Sequence, residues 1–565
     1  MKRIILSTIP DDFNLANDIP LGPWCFLGKE KIYPDWFDLE FRDPYRSSEE
    51  MASAAKESLL VANRLLPDLA KQLNAINGYS YSMNFWRDIL TTWLLTLIQT
   101  TQERYDRISH LIERYGREEC MVDLADTQDI VWNFADTNDF MVRGVFSAEY
   151  NKWIFSSILE NRLPEKWSVT RSRLNTGLTK RYRSDMHMDF EIKDIGRKVL
   201  EWLRRGHGRV YGFSPLESFL FAVYLGLMPP KNKKYNNIFG NNNGTAKCDL
   251  DYNFYAQKTL PDYFLKLKEV LPSINMKAYK KGSIRFGSFF NYDDATKVRF
   301  ALAREYGELL IGVQHGGNYG NAKVFSVGGE AEYKQDAFIS WGWTKQEDCE
   351  GDIIPLPSPY LSKIANRYKK RNDDLILVGT RVHMFMYRFD SMPQPAEQLD
   401  YLKEKASFLK RLNKEIFKSL KYRPYFEIGS NAAERPYMER RFPGLKLCRG
   451  YLHSKIMRCK LLVLDHPGTT LNVALAANIP TICFWNKRSW AMCRQSIPYF
   501  EALEKAGILF ESGAAAADKA NEVWNNVLGW WMLPETQKAR QGWCDQYAKT
   551  SRTWRRDWLK VFREM

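Results

Sequence analysis

The segment LLVLD-HPGTT-LNVALAANIPTICFW, residues 461–485, constrains the fold more than any other part of the chain. A short apolar run, a turn holding Pro467 and Gly468, an apolar stretch of helical length and a second run opened by Pro480 predict strand, turn, helix, strand. Strands joined through a helix run parallel, and a parallel sheet needs helices on both faces. From about Phe286 the alternation recurs. Glu308 to Gln314, Ala337 to Trp341, Leu375 to Val378, Tyr425 to Ile428, Leu461 to Asp465, Thr481 to Trp485 and Gly507 to Glu511 predict buried strands. Asp294 to Tyr306, Pro395 to Leu420 and Thr470 to Asn478 predict helices between them, so this half is α/β.

Upstream the period changes. From about Met51 to Arg205 apolar residues recur at helical spacing, as in Trp86, Ile89, Leu90, Trp93, Leu94 and Leu97, and long helices are expected to dominate. The stretch Asp348 to Ser362, with Pro355, Pro357 and Pro359, has the composition of a linker. The expected division is an N-terminal domain with helical insertions (1–345), a linker (346–362), a C-terminal domain (363–535) and a basic helical tail (536–565) that can pack back on the N-terminal domain. Pro229 to Asn253, including NNIFGNNN at Asn236 to Asn243, has no periodicity and predicts a surface loop; its sequon at Asn243 has no consequence in a cytoplasmic protein.

Composition closes off other classes. A chain of 565 residues, 45% hydrophobic and 26% charged, is neither disordered, collagenous nor coiled coil. The apolar run Ile89 to Ile98 is flanked by Arg87, Asp88, Glu103 and Arg104 and is short of the roughly 18 residues of a membrane span. The N-terminal apolar run stops at Pro10, so no signal peptide is expected. Nine scattered cysteines without a C-x-x-C pair predict reduced thiols in a cytoplasm and no zinc site. The net charge of +15 attracts nucleic acid, anionic headgroups or phosphorylated small molecules. The positive charges are dispersed, densest at Lys231 to Lys234 and Arg367 to Arg371, and no nucleic-acid motif accompanies them, so no nucleic-acid partner is expected. Eighteen tryptophans suit both sugar-ring contacts and a large core.

A parallel sheet binds ligands beyond the carboxyl ends of its strands. Three such ends carry chemistry. After Leu461 to Asp465 come His466, Pro467, Gly468, Thr469 and Thr470, leading into a helix N-terminus whose unpaired N–H groups suit a phosphate. His466 and the threonine hydroxyls can add hydrogen bonds, or Thr469 can cap the helix while His466 satisfies the turn. After Gln314 come His315, Gly316 and Gly317, the glycines allowing positive φ and close approach of a ligand. His315, with a pKa near neutrality, is suited to take a proton from a hydroxyl or hold an anion; a buried, satisfied histidine is the alternative. Glu330, Glu332 and Asp336 follow as candidate base, nucleophile or sugar-binding carboxylates, or as surface charges. After Val378 come Gly379, Thr380 and Arg381, where Arg381 fits a phosphate, a carboxylate or a structural ion pair.

Two α/β halves joined by a proline-rich linker, with Q-H-G-G in one and D-H-P-G-T-T in the other, resemble a GT-B glycosyltransferase. More narrowly, the chain resembles transferases of bacterial surface-polysaccharide loci, O-antigen and capsule. The matching stretches are LGPWCF at Leu21 to Phe26, FWRDILTTWL at Phe85 to Leu94, ERYDR at Glu103 to Arg107, QHGGNYG at Gln314 to Gly320, SWGW at Ser340 to Trp343 and Asp465 to Trp485. The resemblance implies two Rossmann-like domains facing a cleft, with the catalytic residues in the first and the donor in the second. The pair His466–Pro467 resembles the dipeptide with which bacterial sialyltransferases and Kdo transferases hold the phosphate of a CMP-sugar. A donor such as CMP-Kdo or a CMP-nonulosonic acid is implied, with no metal or other cofactor. A lipid-linked or oligosaccharide acceptor is implied too, with peripheral contact to an anionic inner-membrane surface. Many such turns carry Glu where Asn472 stands, to bind donor ribose hydroxyls; Asn472 can still hydrogen-bond one. An NDP-hexose transferase or a CDP-polyol phosphotransferase is the alternative.

Overall fold

The computed structural model describes residues 1–29, 32–127, 129–174, 207–229, 250–288, 292–347, 349–380, 383–425 and 434–565. The predicted loop Asn236 to Asn243 with its sequon, Lys231 to Lys234 and Arg381 lie outside them. Among the described residues the strands form three sheets, and every pairing within a sheet is parallel.

The first sheet holds β1 (Lys2–Ile5), β2 (Asp18–Pro20), β3 (Cys120–Ala125) and β4 (Trp167–Ser172), in the order β2-β1-β3-β4. Helices α1 (Ser48–Asn77) and α2 (Met83–Tyr115) stand between β2 and β3. Each starts where a serine side chain accepts a backbone N–H three residues on, Ser47 from Glu50 and Ser82 from Phe85. Phe85, Trp86, Ile89, Leu90, Trp93 and Leu97 of α2 are wholly buried. Ile89 to Ile98 is therefore core, and among the described residues no helix is long and apolar enough to cross a membrane. The long helices are as expected, but the sheet flanking them is an addition to the sequence reading. β4 (WSVTRS) is mostly polar and β3 (CMVDLA) is interrupted by Asp123, so the helical period masks them.

The second sheet runs β5 (Ile284–Gly287), β6 (Leu309–Val313), β7 (Ala337–Ser340) and β8 (Ile353–Pro355) in sequence order. Helix α3 (Pro215–Gly226) precedes it and α4 (Asp294–Glu305) links β5 to β6. The linker reading needs correction: β8 lies inside Asp348 to Ser362 and pairs with β7 as an edge strand, the position in a sheet that tolerates Pro355.

The third sheet contains β9 (Leu375–Val378), β10 (Leu420–Arg423), β11 (Lys446–Leu447), β12 (Leu461–Leu464), β13 (Thr481–Phe484) and β14 (Leu509–Phe510), ordered β11-β10-β9-β12-β13-β14. The predicted strand at Tyr425 is displaced to β10, because Leu420 and Tyr422 are the buried alternation; residues 426–428 lie outside the described set. The helix predicted from Pro395 to Leu420 is α5 (Glu397–Arg411) plus a separate turn of helix at Lys414–Ser419. After β12 comes α6 (Thr469–Ala477), and α7 (Pro534–Tyr547) packs on it. The tail helix α8 (Trp554–Glu564) buries Trp554, Trp558 and Phe562 with Phe221, Phe286, Ile311 and Ile339 of the second sheet's cluster. The chain leaves β9 in one direction and returns through β12 in the other, which makes the gap between their carboxyl ends a topological switch point.

Candidate functional site

A cavity of ≈ 230 Å³ opens at that switch point. Thr380 and His383, after β9, line it together with His466, after β12. Asn318, from the turn after β6, and the aromatic rings of Phe385, Tyr387, Tyr425 and Trp490 complete much of its wall.

The turn after β12 is organised by a buried charge network. Asp465 is fully buried, and its Oδ1 lies 2.8 Å from His466 Nδ1. A carboxylate there fixes Nδ1 as the donor and leaves Nε2 for a ligand. The other oxygen accepts the Thr380 backbone N–H at 3.2 Å and pairs with Lys405 Nζ at 3.2 Å. Lys405, with no exposed surface, also pairs with Glu434, which accepts the Tyr422 hydroxyl. Burial alone would raise the Asp465 pKa, but Lys405 and His466 outweigh it and hold the carboxyl below its usual range. Burial would lower Lys405, and Glu434 and Asp465 outweigh it in the opposite direction.

The helix N-terminus next to it is tied to the turn after β6. Gly468 caps α6 with extended backbone and no side-chain bond, and Thr469 neither caps the helix nor lines the cavity. Its hydroxyl accepts the Gly317 N–H at 2.8 Å, from the turn after β6. A Cβ on Gly317 would lie 2.4 Å from the Gly468 carbonyl carbon, so this close approach is what requires glycine there. Positive φ is not the reason: in this turn it belongs to Asn318 (69°) and Gly320 (75°). Pro467 and Gly468 are buried and Thr470 is half-buried. Asn472 is overturned as a ribose-binding residue, since its buried Oδ1 accepts Trp543 Nε1–H at 3.0 Å, from α7.

In the turn after β6, Gln314 serves the fold. Its Oε1 accepts the Trp341 N–H at 2.8 Å and Trp343 Nε1–H at 2.9 Å, and its Nε2–H donates to the Gly316 carbonyl at 2.8 Å. His315 keeps a third of its side chain exposed. Tyr319 Oη lies 3.1 Å from its Nδ1 and donates to Glu332 Oε2 at 2.8 Å. The direct separation of Nδ1 from Oε2 is 3.8 Å. Desolvation, then the Arg388 guanidinium, push the His315 pKa down to about 4, which corrects the expectation of a group near neutrality. The other two carboxylates are elsewhere. Glu330 pairs with Lys334 at 2.8 Å and faces Arg87 at 3.9 Å. Asp336 accepts the Leu310 N–H at 2.7 Å, at the amino end of β6, away from His315. Of the expected catalytic set the structure thus joins His315 to Glu332 alone.

The sequence matches the model of the LIC12162 family transferases over residues 2–562. The chain belongs to this family. No curated protein matches it. Among solved structures it is similar to the pneumococcal O-GlcNAc transferase GtfA in complex with UDP and GlcNAc, at 13% identity and a TM-score of 0.33, over 51% of this chain and 58% of that one. It is also similar to Acinetobacter baumannii MurG, at 10% identity and a TM-score of 0.33, over 65% of this chain and 94% of that one. The chain therefore spans little more than half the length of GtfA.

Several site residues of this LIC12162-family transferase carry no signal that the motifs reveal. Tyr319 stands within QHGGNYG, four residues from His315, and its phenol is what connects that imidazole to Glu332. His383 stacks on Phe146 with ring centroids 4.3 Å apart and planes at 8°, a contact across more than two hundred residues. Lys405 sits mid-helix in α5 with nothing local to mark it. Gly379 donates its N–H to the Arg423 carbonyl and holds the turn before Thr380. Among the described residues no group of three or more His, Cys, Asp or Glu side chains could hold a metal ion.

Proposed function

We propose that this transferase is a GT-B-type glycosyltransferase that moves an acidic ulosonic sugar, of Kdo or nonulosonic type, from a CMP-linked donor to a bacterial surface-glycan acceptor. The observation that supports it is the cavity at the switch point with His466 on its wall, oriented from behind by Asp465. With the donor phosphate against Nε2 and the carboxylate against Nδ1, an imidazolium is bracketed by two anions and donates to both. In this reading His466 carries phosphate recognition from the cavity wall. The aromatic walls suit a nucleobase, and the buried Gln398, whose Oε1 has no partner among the described residues, offers an acceptor to an exocyclic amine.

His315 and Glu332 are the proposed catalytic pair, with Tyr319 between them. The acceptor hydroxyl attacks the anomeric carbon, the bond to CMP breaks with its electrons leaving on the phosphate, and the hydroxyl proton passes to the imidazole. Because His315 stays neutral down to about pH 4, this base is available throughout the neutral range. Transfer is metal-independent in this reading, His466 offsetting phosphate charge, and an EDTA-sensitive activity restored by Mg²⁺ would overturn that part.

The test is a thermal-shift series with CMP, CDP, UDP, GDP and ADP, followed by calorimetry. A nucleotide at a hundred times its dissociation constant stabilises by about 2.7 kcal/mol, and CMP is expected to give the largest shift. His466→Ala is expected to weaken CMP by roughly 10- to 100-fold, as for a charge-assisted hydrogen bond, with the fold intact. His315→Ala should lower turnover by ~10²–10⁴-fold at nearly unchanged CMP affinity. A larger shift with UDP or GDP would favour an NDP-hexose donor and sink the cytidine assignment.

A further inference from the structure

Helix α3 has an apolar solvent face as well as an apolar inner face. Inward, Phe221, Ala222 and Leu225 are buried, and Phe221 packs with Trp554, Trp558 and Phe562 of α8. Outward, Leu216 and Leu220 are 65% and 54% exposed, and Leu227, which caps the helix C-terminus, is 81% exposed. At about 100° per residue these three leucines fall within roughly 40° of one another and form one stripe. The single charged residue from Pro215 to Met228 is Glu217, and it is turned inward to Lys363 and Arg555. A water-facing helix normally carries its charges outward, so an apolar stripe flanked by charge on a neighbouring helix suits an interface with something that is itself part apolar and part charged.

The flank is basic. Arg555 reaches α3 through Glu217 and Arg563 donates to the Tyr224 hydroxyl, so both guanidinium groups lie against α3, one toward each end of the helix. Arg556 is exposed on the same helix, and Lys560 is 73% exposed. From Arg552 to Glu564 five basic residues face two acidic ones. A bilayer interface offers an apolar boundary for leucines directly beneath anionic groups for arginine and lysine.

We propose that the α3–α8 face docks this protein on a membrane carrying anionic headgroups, with the Leu216–Leu220–Leu227 stripe entering the headgroup–acyl boundary and the basic residues of α8 engaging the phosphates. The inference does not depend on the donor. Its test is co-sedimentation of the full chain with vesicles of phosphatidylglycerol and phosphatidylcholine against vesicles of phosphatidylcholine alone. Binding is expected to the first and to be weak to the second. The combined variant Leu216→Glu, Leu220→Glu, Leu227→Glu should lower partitioning by about tenfold or more, at an unchanged melting temperature because these side chains are exposed. The pair Arg556→Glu and Lys560→Glu should lower it less and flatten its dependence on salt. Failure of the parent protein to bind the anionic vesicles, or binding retained by the leucine variant, would overturn the proposal. So would a dimer in solution that the leucine variant dissociates, which would make a second copy of the chain the occupant.

Discussion

The turns after β6 and β12 are built to the same plan and wired differently. Each ends a buried parallel strand, each places a histidine one residue after a hydrogen-bonding side chain, and each continues into small residues that meet at Gly317 and Thr469. In the first, Gln314 turns away from its neighbour His315 and fastens Trp341, Trp343 and Gly316. In the second, Asp465 takes His466 directly. The difference follows from what each group needs when buried. An amide is satisfied by several neutral hydrogen bonds, whereas a carboxylate without exposed surface requires positive charge, and Lys405 supplies it. His315, left without its neighbour, obtains its carboxylate at one remove through Tyr319.

The comparison can be broken in order of expected effect. Lys405→Met removes the cation shared by the buried carboxylates of Asp465 and Glu434 and should cost about 3–5 kcal/mol in denaturant unfolding. Gln314→Leu strands the Trp341 and Trp343 N–H groups and should cost about 2–3 kcal/mol; a loss exceeding that of Lys405→Met would invert the ranking of charge over amide. Thr469→Val removes the bond that joins the two turns and should cost about 1 kcal/mol, while loosening amide-exchange protection of Gly317.

A separate effect depends on pH. An unfolded imidazole takes up its proton near pH 6.5, and folded His315 resists it until about pH 4. Between those values protonation favours the unfolded chain, so stability falls as pH drops. His315→Gln should make the melting temperature less sensitive across that window, and an unchanged slope would show that the imidazole is not held neutral.

Much of the third sheet was legible. β9, β12 and β13 fall within a residue of their predicted spans, because a wholly buried parallel strand is a continuous apolar run bounded by turn residues. β10 was displaced since its Lys421 and Arg423 break that run. The first sheet was hidden because β3 and β4 carry polar residues within their spans, so neither is a continuous apolar run, and the helical period of α1 and α2 dominates the chain just before them. In the site, His315 and His466 were legible as histidines at strand ends, and Glu332 was one of three equivalent carboxylates until the fold chose among them.

By itself the sequence determined the alternation of strand and helix, hence a parallel sheet, and so the strand ends where chemistry collects. These follow from hydrophobic period and turn residues, which act over a few positions of chain. Which partner each polar group finds was decided by the tertiary structure alone. Asn472 meets Trp543, Thr469 meets Gly317 across 152 residues, and Asp336 lands at the opposite end of β6 from His315. A buried donor or acceptor must be satisfied by whatever packing brings within about 3 Å, and no local pattern encodes that neighbour.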